Sequence, residues 1–205
     1  MSARPDRNRR LRGLHLASGT VIAVFVVLHL GNHIAMFAGQ AAHIALMETL
    51  RPFYRNVAAE TLLMAALAFQ LGTGLTMIWR TRAEPRTGWA RVQAISGVVL
   101  ALFVLNHVGA VWTGRLLLGL DTNYHFAAAG FHAGLAGFFV PYYFLGVAAL
   151  FVHGACALAW RMRSAAVPLL VATLGTGLAA GFVAVMASDP AIPDSYLAPY
   201  LEFIP

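Results

Sequence analysis

The sequence predicts an all-α integral membrane protein with five transmembrane helices, and three observations predict it. The 205 residues are 60% hydrophobic and only 11% charged, with a mean hydropathy of +0.71. No Asp, Glu, Lys or Arg stands between Arg12 and Glu48, nor between Arg163 and Asp189. Soluble domains rarely leave such intervals uncharged, whereas a bilayer span needs about 20 mainly apolar residues. The apolar stretches place the helices at about Leu14–Phe37, Ala58–Trp79, Val92–Trp112, Val140–Trp160 and Ala165–Met186.

The first stretch follows an arginine-rich segment, which raises the question of a signal peptide. No small-x-small cleavage site ends the run, so it is read as a mature helix. The second and third stretches are joined by Arg80–Arg91, with Pro85 and Gly88 as breakers, and the fourth and fifth by a joint around Arg161–Ser164. Two longer connections, Ala38–Val57 and Thr113–Phe139, are each expected to lie partly along the membrane interface as a short helix. Trp79, Trp112 and Trp160 sit near helix ends as interfacial anchors.

All basic residues are arginines. With alternating topology, Arg4, Arg7, Arg9, Arg10, Arg12, Arg80, Arg82, Arg86, Arg91, Arg161 and Arg163 share one side, leaving Arg51, Arg55 and Arg115 opposite. Basic residues are retained on the cytoplasmic side, so the N-terminus is inside and the C-terminus outside. Arginines that flank helix ends are topology signals and lipid-headgroup contacts, and nucleic-acid binding is set aside. The single cysteine, Cys156, excludes an internal disulfide and an all-cysteine iron–sulfur cluster within this chain. No loop is large enough for a soluble catalytic core, and the whole chain, residues 1–205, reads as one transmembrane domain.

Two stretches nearly repeat each other. Ser18-Gly19-Thr-Val-Ile-Ala-Val-Phe-Val-Val-Leu-His29-Leu-Gly31 is matched by Ser96-Gly97-Val-Val-Leu-Ala-Leu-Phe-Val-Leu-Asn-His107-Val-Gly109. Each sets one histidine late in an apolar helix. Haem b held by two imidazoles needs this arrangement. At 1.5 Å per residue, His29 stands about 25 Å above Arg12, and His107 about 24 Å above Arg91. The two histidines therefore share a level near the outer face. On the descending helices Gln70 lies about 15 Å from Arg80 and His153 about 12 Å from Arg161, a second, inner level. A glutamine carbonyl is a poor iron ligand beside imidazole, so the inner site is five-coordinate through His153, ligated unusually, or empty.

In this order and spacing the chain resembles the five-helix, single-chain cytochrome b membrane anchor of succinate:quinone oxidoreductases and quinol:fumarate reductases. The resemblance covers roughly residues 10–163. It is carried by His29 in Leu28-His29-Leu30, Gln70 in Phe69-Gln70-Leu71-Gly72-Thr73-Gly74, His107 in Asn106-His107-Val108 and His153 in Val152-His153-Gly154. The segment Arg51-Pro52-Phe53-Tyr54-Arg55 leading to Glu60 is also similar to the family's approach to its second helix. The resemblance implies a four-helix antiparallel bundle with the fifth helix outside it. It implies His29 and His107 as axial ligands of an outer haem b, with His153 and Gln70 as a degenerate inner site.

It further implies a membrane quinone as substrate and iron–sulfur and flavoprotein subunits on the cytoplasmic face of a bacterial inner membrane. The chain would be a subunit of an oxidoreductase and not a complete catalyst. Gln70 departs from the family's pattern. It leaves open a one-haem anchor, a stand-alone haem- or quinone-binding protein of the same fold, or a haem-free accessory protein. A further alternative is a small transporter or metal-binding protein using His29, His33 and Glu60.

Each of these residues also has a structural reading. Membrane histidines and glutamines hydrogen-bond neighbouring helices. His33 is a candidate for a haem propionate or quinone carbonyl, or an interfacial histidine without such a role. Glu60, the one acid placed inside a span, is a candidate acceptor for protons released by a quinol, the partner of Arg55 in a salt bridge, or an interfacial carboxylate in contact with water. His15, His43, His125 and His132 are expected at the surface or interface. His125 and His132, seven apart, share a face if their loop is helical, which allows a metal or propionate contact there.

Overall fold

The computed structural model describes residues 3–86, 88–188 and 191–201, with side chains from Arg9 onward; Arg4 and Arg7, counted in the topology above, lie outside those side chains. The described residues form helices α1 (Ala3–Ile34), α2 (Gln40–Tyr54), α3 (Val57–Arg80), α4 (Gly88–Trp112), α5 (Tyr124–His132), α6 (Ala136–Ala159), α7 (Ala166–Ser188) and α8 (Asp194–Leu201), without a strand. A 3₁₀ turn at Ala35–Ala38 extends α1, and a π-helical turn at Thr113–Leu117 extends α4. Five helical segments are long and apolar enough to cross a membrane: Arg9–Ala38, Val57–Arg80, Gly88–Leu117, Ala136–Ala159 and Ala166–Ser188.

These five match the apolar stretches, and the differences at their ends have local causes. Hydropathy rises only at Leu14, yet α1 begins at Ala3, because arginine and leucine are strong helix formers and continue the helix below the apolar run. Helix α6 begins one turn before Val140, so Pro141 lies within it. Asn56 caps α3, its side-chain oxygen accepting from Ala59 N at 3.0 Å. Glu60 falls in the first turn of α3, where the helix dipole favours a carboxylate.

The chain divides into two compact units, Met1–Arg86 and Thr87–Pro205. In the first, α1 packs on α3, with α2 against the top of α1. Glycines permit the close approach: a methyl group at Gly19 would lie 3.0 Å from Gln70 Nε2, and one at Gly74 3.2 Å from His15 Cε1. The loop after α3 is tied down by Arg86, which donates to Ile78 O at 3.1 Å and Thr81 Oγ1 at 2.7 Å. The guanidinium of Arg82 lies 4.0 Å from the centre of the Trp79 ring.

In the second unit α6 packs against both α4 and α7. Phe103 of α4 occupies the space a methyl on Gly146 would need, and Phe151 of α6 does the same over Gly175 of α7. Both long connections contain helices, α2 and α5. Helix α5, capped by Asn123, is enclosed by α6, α7 and α8, with Ala128 and Ala129 fully buried. The small residues Ala127-Ala128-Ala129-Gly130 allow it to be packed on several sides.

Candidate functional site

The sequence repeat is also a repeat of side-chain geometry. In the first unit Phe25, one helical turn before His29, stacks on its ring with centroids 5.3 Å apart and planes 18° apart. In the second, Phe103 stacks on His107 at 5.5 Å and 14°. Each phenylalanine also meets a tyrosine: Phe25 meets Tyr54 at the end of α2, and Phe103 meets Tyr142 of α6. Residues four apart share a helix face, so the Phe-x-x-x-His spacing by itself brings the rings together. The tyrosine contacts come from tertiary packing.

The lower ends of the same helices form a second matched pair of sites. Ser96 and Gly97 of α4 face His153 of α6, whose Nδ1 lies 3.2 Å from Gln93 O and 3.4 Å from Ser96 Oγ. A carbonyl oxygen only accepts, so Nδ1 carries the proton and Nε2 keeps its lone pair. Histidines that bind metals are commonly held in this way. In the first unit Ser18 and Gly19 of α1 face Gln70 of α3.

The hydrogen bonds around Gln70 have one self-consistent direction. The Thr73 hydroxyl donates to Phe69 O at 2.8 Å and accepts from His15 Nδ1 at 2.9 Å. His15 Nε2 accepts from the Gln70 amide at 3.1 Å, and Gln70 Oε1 accepts from Ser18 Oγ. The amide of Gln70 thus joins α1 to α3 through both of its ends. His15, expected at the surface or interface, is a half-buried interhelical partner. Relative to the second unit, the imidazole and the glutamine have exchanged helices: His15 and Gln70 stand on α1 and α3, Gln93 and His153 on α4 and α6.

At the top of the first unit, three histidines form a chain. His29 Nε2 lies 3.2 Å from His33 Nε2, and His33 Nδ1 lies 3.3 Å from His43 Nε2. The Asn32 amide reaches the same His43 nitrogen at 3.2 Å. His43 is 2% exposed and Asn32 5%, so His43, expected at the surface or interface, is buried between helices α1 and α2. Burial pushes the His43 pKa down from 6.5 to about 4, because the charged imidazolium loses hydration there. His33 turns its two nitrogens to different neighbours, so the three rings do not converge on one point. Among the described residues no group of three or more His, Cys, Asp or Glu side chains is placed to hold a metal ion.

The remaining candidates are dispersed. Glu60 is half-buried in the first turn of α3. His125 and His132 share α5 but serve separate contacts. His125 packs on Tyr124 and Tyr196, whereas His132 Nε2 donates to Met186 O at 2.8 Å. His29, His33 and Gln70 lie in the first unit, and His107 and His153 in the second.

The aromatic partners Phe25 and Phe103 were legible in the repeat itself. Asn32 and His43 carried no periodic signal, since they meet only where α2 folds back on α1. Comparison with protein-family models, with curated proteins and with solved structures finds no match for this chain.

Proposed function

We propose that this chain is a cytochrome b-type membrane anchor, carrying electrons between a membrane quinone and an iron–sulfur/flavoprotein partner of the succinate dehydrogenase or fumarate reductase type. In this reading four helices form an antiparallel bundle, with the N-terminus on the cytoplasmic side of a bacterial inner membrane and the fifth membrane-length helix outside the bundle. The observation that carries it is the duplicated pair of stacked rings, Phe25 on His29 and Phe103 on His107. Imidazole is an axial donor that haem iron takes, and the stacked phenylalanine fixes the orientation of each ring.

The donor set supports one haem better than two. His107 and His29 supply imidazoles at matching places in the repeat. His153 keeps a lone pair on Nε2, whereas the amide of Gln70 is engaged by Ser18 and His15, and a glutamine carbonyl is a poor iron ligand. A bound haem b would supply reversible one-electron transfer. The chain's own residues would hold it, exclude water with their apolar surroundings and, through His33 or Glu60, hydrogen-bond or deprotonate a quinol.

A reduced-minus-oxidised visible spectrum with pyridine haemochrome quantitation, on wild type and His107→Ala, tests this reading. About one low-spin haem b per chain, lost in the variant, is the expected result. A well-folded wild-type protein without haem would sink the reading and turn attention to a haem-free accessory or transport role.

A further inference from the structure

The contact between His29 and His33 has a consequence for cofactor uptake. Both rings present Nε2 to each other, at 3.2 Å. If His33 donates, the lone pair of His29 Nε2 is engaged; if His29 donates, that nitrogen carries a proton. In either tautomer iron cannot approach His29 Nε2 until the contact opens.

His33 is not loose on its helix. Its other nitrogen is 3.3 Å from Nε2 of His43, an almost wholly buried residue of α2, and Asn32 reaches that same nitrogen from α1. The rings of His33 and His43 lie 5.1 Å apart, and those of His29 and His33 stand edge to face at 4.6 Å. In the second unit Val111 occupies the position equivalent to His33. The two histidines of the repeat therefore differ in this neighbour: His29 is held by a histidine anchored to another helix, at a position where the second unit has valine.

We propose that His33, held in place by His43 and Asn32, guards Nε2 of His29, so that haem is taken up at this position only when His33 moves aside. His33 and His43 are then positioning residues acting on the ligand. The inference rests on the reading of His29 as an iron ligand.

The test uses the full chain, purified in detergent without haem from haem-deficient cells, as wild type, His33→Leu, His43→Leu and His43→Gln. Haem uptake is timed from the growth of the Soret band, and ¹⁵N-histidine spectra of the haem-free proteins report the hydrogen bonding of His29. Removing the guard is expected to speed uptake roughly tenfold in His33→Leu and His43→Leu, the weight of about one hydrogen bond. The His29 signal should shift in both, and His43→Gln, which can still engage His33, should return towards wild type.

Equal uptake rates in all four proteins, with an unshifted His29 signal, would overturn the guard while leaving the haem site standing. Loss of uptake in a folded His33→Leu would also overturn it, by making His33 itself a ligand. Absence of uptake in every protein would instead overturn the haem reading, and the guard with it.

Discussion

The ring of Phe103 lies 5.5 Å from that of His107 with 14° between their planes, and the same phenylalanine fills the space above Gly146. One side chain thus orients the histidine on α4 and sets how closely α6 can approach. Replacing it should affect both functions. Phe103→Leu, which keeps much of the bulk but removes the ring, is expected to destabilise by about 0.5–1.5 kcal/mol. Thermal unfolding followed by circular dichroism, with haem content measured alongside, checks this; an unchanged melting temperature would deny the stack its structural weight.

The glycines of the second unit provide a sharper contrast. A methyl at Gly175 would stand 1.9 Å from Phe151 Cγ, and one at Gly146 2.1 Å from Phe103 Cδ2, while a methyl at Gly31 meets nothing within 4 Å. Gly175→Ala and Gly146→Ala are each expected to cost roughly 1–3 kcal/mol by overpacking. Gly31→Ala is expected to be neutral or slightly stabilising, since alanine favours helix. Melting temperatures of the three variants in one detergent decide the matter.

The network around Gln70 should behave as a coupled unit. Gln70→Leu removes the donor to His15 Nε2, at about 1–3 kcal/mol for a lost buried partner, while the Ser18 hydroxyl keeps its other acceptor, His15 O at 3.1 Å. Ser18→Ala alone removes one bond. A double-mutant cycle is expected to give a coupling of about 0.5–3 kcal/mol, and strict additivity would mean the two side chains do not act together.

His43 gives the first unit a pH dependence of definite sign. Its pKa falls from 6.5 to about 4 on folding, because burial opposes the imidazolium. The unfolded chain therefore binds the proton more readily. Stability contributed by the neutral ring is complete above about pH 6.5 and is lost progressively as pH falls towards 4. Wild type should lose stability between pH 7.5 and 5, and His43→Gln should lose less. His33 and Asn32 of α1 both contact His43, so the comparison is repeated on His33→Leu to separate the contribution of His33.

The membrane-length helices were legible because hydropathy is a one-dimensional signal, and helix α1 outran its prediction only where arginines continued the backbone geometry without continuing the apolar run. The paired phenylalanines and the Ser-Gly pairs were legible for a related reason: they repeat in register with the histidines. The sequence suggests the surface or interface for His15 and His43 because each stands alone in its own segment, and nothing nearby in the chain marks Gln70 or His33 as its partner.

What the sequence determined by itself was therefore everything that follows from residues within a few turns of one another. This includes five apolar helices, the arginine clusters at their ends, and two histidines each one turn beyond a phenylalanine. Tertiary structure alone decided which polar atoms meet across helices. Gln70 became a tie between α1 and α3, His153 acquired a defined protonated nitrogen, and the last turn of α1 was closed by a buried histidine from α2. The physical reason is that buried donors and acceptors must be satisfied, and in these helices the backbone groups already satisfy one another. The side chains left over can pair only with what packing brings within about 3 Å, and that distance is set in three dimensions.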